Sequence, residues 1–371
     1  MEPVRFSPPV SQQRYDFVIS FVDNYKPKKV ADLGCNECSL LHRLRFWNCI
    51  ELLVGVDIDE DTLRRKQHTL TPLPAHYLKP LERPLTVILY KGSVCEKDPA
   101  LLGFDLISCI ELIEHLEADD LDKLDDVLFG FMAPKAAVIS TPNAEFNILL
   151  PKTQKFRHPD HKFEWSREEF QSWALKVARH YNYTVEFSGV GKPPPDHEEV
   201  GFCSQIAVFM KNYTESEESI SIKKQYKSIY NTVLHVVYPS LREEKYLRKA
   251  ILNEALLHAD MMKNSLVYHH KRREEIDQDV MTENNRDACQ HSRWPFSLET
   301  AAQSEENQVL QPFIQGNTIH VPLEAIFSIS GVKKLCGSLD VLRSIIAEEV
   351  PLSGDGKTMM YPVDLDDLQE V

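Results

Sequence analysis

The sequence predicts an α/β fold, a sheet of seven mostly parallel strands with helices on both faces. Two observations carry that expectation. Between residues 30 and 211 short β-rich runs alternate with helical patterns, the order that builds a parallel sheet with crossover helices. The first run, VADLG (30–34), also passes through the turn GCNECS into the helical stretch LLHRLRFW. Strand, glycine turn and helix in succession place a nucleotide-like ligand at strand C-termini, near a helix N-terminus.

The elements follow in order. SQQRYDFVISFVDNY reads as an amphipathic lead-in helix ahead of the sheet. Strands are expected at 30–34, 52–58, 85–90, 105–110, 136–141, 184–190 and 205–210, each a short β-branched or apolar run. Helical patterns fill the gaps at 39–47, 60–68, 119–131 and 167–181. The last starts on Ser166 with Glu169 three residues on, the pairing of a capping box. These elements assign residues 1–211 to one domain and 212–371 to a C-terminal extension of helical segments and mobile linkers. In that extension NYTESEESISIKKQ is polar, LREEKYLRKAILNEALLHADMM and residues 319–350 have helical periodicity, and the charge-rich stretch 269–293 is expected to be mobile.

Composition bounds the function. The chain has 371 residues, 43% of them apolar, enough for a sizeable core, and a net charge of −14 that argues against a broad nucleic-acid surface and against DNA as a partner. The N-terminus lacks the layout of a signal peptide, and no apolar run approaches the ~18 residues of a membrane span. The 8 cysteines are scattered, several among apolar neighbours, which suggests reduced thiols in an intracellular, cytoplasmic protein. Cys35 and Cys38 form a CxxC with no second pair at zinc spacing, so no metal or redox role is expected of them.

The cofactor-binding candidates are Asp32, Gly34, Asp57 and Ser93. Asp57 ends the second strand, where a carboxylate accepts hydrogen bonds from a ribose 2′,3′-diol. Gly92 and Ser93 lie at the same edge, where an adenine would rest. The G-x-G-x-x-G fingerprint is missing, and Glu37 would repel a pyrophosphate. Asp32 instead suits a cationic group, such as the amino group of S-adenosylmethionine. An acidic residue leading into a glycine turn, with another acid after the second strand, resembles the class I methyltransferase family and implies its Rossmann-like fold. Asn36 stands where that family usually has glycine; Asn is the residue that best tolerates positive φ after glycine, so the turn is expected to survive.

Past the strand DLISCI come Glu111, Glu114 and His115. In a helical turn these fall on one side, and two adjacent acids repel unless a cation sits between them. Oxygen ligands with an imidazole point to a divalent metal: Mg²⁺ for pure oxygen sites, with histidine shifting preference toward Mn²⁺ or Co²⁺. FRHPDHKFEW (156–165) offers His158 and His161 on the same rim. E-x-x-E-H followed by D-H-K-F-E-W inside such a domain resembles the Hen-type small-RNA 2′-O-methyltransferases, over roughly residues 12–211. That resemblance implies Glu111, Glu114, His115 and His161 as catalytic metal ligands and leaves His158 as a basic-loop residue. The short form, with no double-stranded-RNA module ahead of the domain, resembles the animal members, which act on the 3′ ends of Piwi-interacting RNAs. It implies a Piwi-family protein as the carrier of the RNA and a germ-granule setting.

The expected chemistry is metal-assisted methyl transfer to the 2′-hydroxyl of a terminal ribose, with His115 as the candidate proton acceptor. A 3′-phosphate or an existing 2′-methyl is expected to block it. Residues 150–167 carry Lys152, Lys155, Arg157, Lys162 and Arg167 against Asp160 and Glu164, a local +3 suited to the end of a small single-stranded RNA. Phe156, Phe163 and Trp165 are candidates to stack a base or to pack in the core. Two rival readings remain at this stage: a metal-dependent O-methyltransferase acting on a catechol-like diol, and an inert RNA- or protein-binding module.

Overall fold

The computed structural model describes residues 4–151, 156–212, 227–282 and 311–363, and of residues 273–282 the backbone alone. The chain divides into two compact units, residues 1–76 with 81–240, and residues 241–371 with 77–80.

In the first unit the elements are α1 (Val10–Tyr25), β1 (Lys29–Leu33), α2 (Ser39–Leu44), β2 (Leu52–Asp57), α3 (Glu60–Lys66), β3 (Leu85–Lys91), β4 (Leu106–Ile110), α4 (Ala118–Asp125), β5 (Ala136–Pro142), α5 (Arg167–Tyr181), β6 (Tyr183–Val190), β7 (Ser204–Lys211) and β8 (Asn231–Tyr238). They form one eight-stranded sheet in the order β6-β7-β5-β4-β1-β2-β3-β8. The five strands from β5 to β3 are parallel, and β6, β7 and β8 enter through antiparallel pairs. Every residue of β5 is buried, as a strand covered on both faces requires. Its Ala137 and Ile139 face a core with Leu121 and Leu124 of α4 and Phe170 and Ala174 of α5. Ala136 and Val138 face the opposite core, with Val18 and Val22 of α1 and Leu40, Leu41 and Leu44 of α2.

Two expectations change here. The seven strands read from the sequence become eight, because NTVLHVVY at 231–238 pairs antiparallel with β3. The boundary between the units accordingly falls after Ser240 rather than at Lys211. An edge strand buries one face only; Val237 is left exposed and the segment follows a polar run, so its signal in the sequence is weak. The capping box at Ser166 and Glu169 forms as expected. The helix expected over 119–131 is α-helical through Asp125 and then a π-helical turn, Asp126–Met132, which ends at Ala133 with φ 46°.

The second unit holds a long helix, α6 (Glu244–Thr282), and a three-stranded antiparallel sheet of β9 (Phe313–Gln315), β10 (Thr318–Pro322) and β11 (Thr358–Pro362), with β10 central. Helices Leu323–Ser328, Ser330–Cys336 and Leu339–Ile346 lie between β10 and β11. Their core gathers Ile251, Ala255 and Ala259 with Val321, Ile326, Leu342, Ile346 and Met359. The stretch 269–293, expected to be mobile, continues α6 as far as Thr282; residues 283–293 lie outside the described residues. Among the described residues no helix is long and apolar enough to cross a membrane, and all the cysteines are free thiols.

Candidate functional site

The turn after β1 is built by backbone hydrogen bonds and one carboxylate. The N–H groups of Gly34 and Cys35 donate to the carbonyl of Val56 at 2.8 and 3.1 Å, tying the turn to β2. Asp57 accepts from the N–H of Asn36 at 2.7 Å and of Asp59 at 2.9 Å. Asn36 adopts φ 43°, the positive value its amide side chain tolerates, so the turn closes without a second glycine. Gly34 cannot be exchanged in the same way. Its φ is +71°, and an added Cβ would stand 2.7 Å from Cδ1 of Leu112. Asp32 is buried and accepts from the Ser108 hydroxyl at 2.6 Å. Burial, which the Ser108 hydrogen bond only partly offsets, raises its pKa to about 7, and the charge of Asp57 pushes the same way. The Cys35 thiol is likewise held well above the usual range by its Cys38 neighbour and by burial, which suits inert packing.

At the expected adenine edge the structure adds a residue the sequence reading missed. The Tyr230 hydroxyl, from the segment leading into β8, donates to the Ser93 carbonyl at 2.9 Å, and a Cβ on Gly92 would meet its ring at 2.2 Å. Asp98 fixes this segment. It is fully buried and accepts from the Ser228 hydroxyl and the N–H groups of Ile229, Tyr230 and Ala100 at 2.7–2.9 Å.

Beyond β4 the chain turns at Glu111, a non-glycine residue at φ 53°. Such backbone is uncommon and gathers at functional sites. The Glu111 N–H donates to the carbonyl and the hydroxyl oxygen of Ser140, both at 3.1 Å. Its carboxylate accepts from the Ser140 and Ser204 hydroxyls at 3.0 and 2.8 Å and pairs with Arg14 of α1 at 3.2 Å. The 3₁₀ turn Ile113–His115 then presents Glu114, which is fully buried. One of its oxygens accepts from the Thr141 hydroxyl at 3.0 Å; the other is buried with no hydrogen-bond partner. Burial, and next the charge of Glu111, push the Glu114 pKa well above the usual carboxylate range.

Three imidazoles converge beside these acids. Each of His115, His158 and His161 places a ring nitrogen within 4.8 Å of the others. His115 and His161 have ring centroids 4.8 Å apart. The sequence reading set His158 aside in the basic loop; a tight turn, in which the His161 N–H donates to the His158 carbonyl at 3.2 Å, returns it to the group. Neither Glu111 nor Glu114 belongs to this trio; Glu111 acts on Glu114 and His115 through its field. Burial, and then the neighbouring His161 and His158, depress the His115 pKa and keep its ring neutral. Glu164, counted from the sequence only as a negative charge, lies with Oε1 2.6 Å from Nδ1 of His161. It also accepts from the Arg157 N–H and the Asn147 amide, both at 2.6 Å. Burial raises its pKa, but those hydrogen bonds outweigh it and hold Glu164 below its ordinary value. A carboxylate on one nitrogen of a ligand imidazole sets its tautomer and aims the other nitrogen. The spacing of three residues was the available signal.

A buried carboxylate oxygen without a partner, on the residue preceding His115, and three converging imidazoles are donor types that fit a divalent cation. The loop cations do less than expected. Lys152 and Lys155 lie outside the described residues. Arg157 spends its guanidinium on Asn143, Asn147 and Cys203, Lys162 pairs with Glu117 at 3.0 Å, and Arg167 with Glu145 at 2.6 Å. Phe163 stacks on Trp165 at 4.3 Å, and both pack against the core.

A parallel sheet with acids ending β1 and β2 around a glycine turn, and an acid–imidazole cluster on the same rim, defines a class I methyltransferase. Comparison with known proteins narrows this. The chain is 60% identical over 370 residues to a small RNA 2′-O-methyltransferase of Xenopus tropicalis, covering 99% of both chains, and 44% identical to one from Mus musculus, covering 96% of this chain and 90% of that one. A crystal structure of the small RNA methyltransferase HEN1 superposes with a TM-score of 0.54 at 33% identity, covering 65% of this chain and 28% of that one. A family model described as the HENMT1 C-terminal domain matches residues 245–363, within the second unit. The chain belongs to the small RNA 2′-O-methyltransferase family.

Proposed function

We propose that this protein transfers the methyl group of S-adenosylmethionine to the 2′-hydroxyl of the 3′-terminal nucleotide of small single-stranded RNAs, with a divalent cation at the acid–imidazole cluster, and so protects the RNA end. The observation that carries this reading is the convergence of three imidazoles, with a buried, unpartnered carboxylate oxygen on Glu114, the residue before His115. The names of the relatives support the substrate class.

Asp57 keeps lone pairs free to accept the cofactor's ribose hydroxyls, and Asp32 meets its amino group, whose positive charge favours the ionised carboxylate. Bound there, S-adenosylmethionine supplies an electrophilic methyl group. Glu111, Glu114, His115 and His161 would hold Mg²⁺, Mn²⁺ or Co²⁺, which supplies Lewis acidity toward a terminal 2′,3′-diol. Glu164 fixes the tautomer of His161. His115, kept neutral by its surroundings, is able either to ligate or to take the hydroxyl proton, one role at a time. Holding hydroxyl and methyl donor on one rigid rim removes entropy that a bimolecular encounter would otherwise cost. The family resemblance extends the reading to Piwi-interacting RNAs carried by a Piwi-family protein, in cytoplasmic germ-cell RNA granules.

The test is transfer of labelled methyl to an oligoribonucleotide ending in a free diol, a 3′-phosphate or a 2′-methoxy group, with and without chelator. Only the diol is expected to react. Chelation, or Glu114→Ala in a protein that still melts cooperatively, is expected to lower the rate at least about a hundredfold, more than loss of an outer partner does. Equal turnover of a catechol, or full activity after metal stripping, defeats the assignment.

A further inference from the structure

A cavity of about 220 Å³ opens on the face of the sheet that carries α5. It is lined by Arg167, Phe170, Gln171, Phe187, Phe202 and Gln205, among others. Phe187 and Phe202 are half-buried, whereas Gln205 is only 5% exposed. Its Nε2 donates to the carbonyls of Pro142 and Trp165 at 3.1 and 3.0 Å. Because both partners only accept, the amide orientation is settled, and Oε1 is an acceptor. That oxygen is buried with no hydrogen-bond partner. A buried acceptor needs an N–H or O–H donor.

Register ties this cavity to the reacting end of the substrate. Gln205 stands directly opposite Thr141 in the β5–β7 pair, so the two side chains share one face. Thr141 is the residue whose hydroxyl meets Glu114. The Trp165 carbonyl held by Gln205 belongs to the loop that carries His158 and His161. Gln205 of the cavity is thus the cross-strand neighbour of the residue that holds Glu114.

We propose that this cavity takes the heterocyclic base of the RNA's 3′-terminal nucleotide, an inference that rests on the function proposed above. The volume lies below the ~300–1,000 Å³ typical of pockets for drug-sized ligands, which suits a single ring system rather than a whole nucleotide. The aromatic rings offer a stacking surface that every base can use, and Gln205 takes a base N–H. All four RNA bases carry such a donor, so the subsite reads that a base is present and not which base it is. The sugar of the same nucleotide then falls toward Glu114 and the histidines.

The experiment uses the full-length protein and oligoribonucleotides with one abasic ribose at the last, second-last or third-last position. Methyl transfer to the intact oligomer is the reference. An abasic terminal nucleotide is expected to raise KM about tenfold, within the range of a lost base–aromatic stack, and the other two positions to leave it unchanged. Phe202→Leu keeps bulk but removes the ring. It is expected to raise KM for intact RNA about tenfold and to erase the difference between intact and terminally abasic RNA, with kcat nearly constant. Unchanged KM on the terminally abasic RNA, or a penalty at another position, overturns the subsite while methyl transfer itself stands; so does a Phe202→Leu enzyme that still discriminates, as it would if the cavity held only water. If intact RNA is not methylated, the functional reading fails and the subsite falls with it.

Discussion

Glu164 makes no contact with substrate in the proposed reaction, yet it is expected to govern how tightly the cation is held. Its Oε1 serves both His161 Nδ1 and the Arg157 N–H at 2.6 Å, and its Oε2 takes the Asn147 amide at the same distance. In Glu164→Gln the remaining carbonyl can still serve His161 and Arg157, but the new amide then points its donors at the Asn147 amide. Asn147 cannot simply turn over, because its own oxygen is occupied by the Arg157 guanidinium. The substitution therefore removes a negative charge from His161 and one hydrogen bond from its support. Loss of such an outer carboxylate costs metal sites ~10–100-fold in affinity, which is about 1.4–2.8 kcal/mol. Half-activation of methyl transfer is expected to need about 10–100 times more Mn²⁺, with kcat at saturating metal changed only a few-fold. Direct titration of Mn²⁺ by electron paramagnetic resonance should show the same displacement. If both curves stay put in a protein with wild-type melting behaviour, His161 is not a ligand oriented by Glu164.

Asp98→Ala strands the buried Tyr230 N–H and two part-buried donors at the entry to β8, and is expected to cost about 1–3 kcal/mol, the penalty of an unsatisfied buried donor; a thermal melt within a degree or two of wild type would refute this. For Asp32 the sign follows from a folded pKa of about 7 against an ordinary value of 3.8. Stability of the cofactor-free protein that is present below the ordinary value is lost as pH rises toward and through 7, so Asp32→Asn should flatten the fall in melting temperature between those limits. Cofactor affinity should move the other way, rising with pH until Asp32 is ionised and levelling off above its pKa of about 7; equilibrium dialysis across that range, with affinity falling as pH rises, would contradict the assigned ammonium contact.

The alternation of short apolar runs and helical patterns was enough to place the central sheet, because a strand buried on both faces is apolar along its whole length, as β5 is. The capping box at Ser166 and the positive φ of Asn36 were also readable, since both follow from local chemistry. What the tertiary structure alone decided depends on contacts between residues far apart in the chain. The eighth strand, the clamp of Asp98 on residues 228–230 and the seat of Tyr230 under Gly92 are pairings of this kind. So is the pairing of Arg14 with Glu111, ninety-odd residues apart, and the capture of Arg157 by backbone carbonyls instead of phosphates. A sequence motif names side chains able to ligate or to pair, and local propensity orders them along an element. Which of them lose water, and which oxygen is left without a partner as Glu114 is, follows only when the strands are registered and the loops close over them.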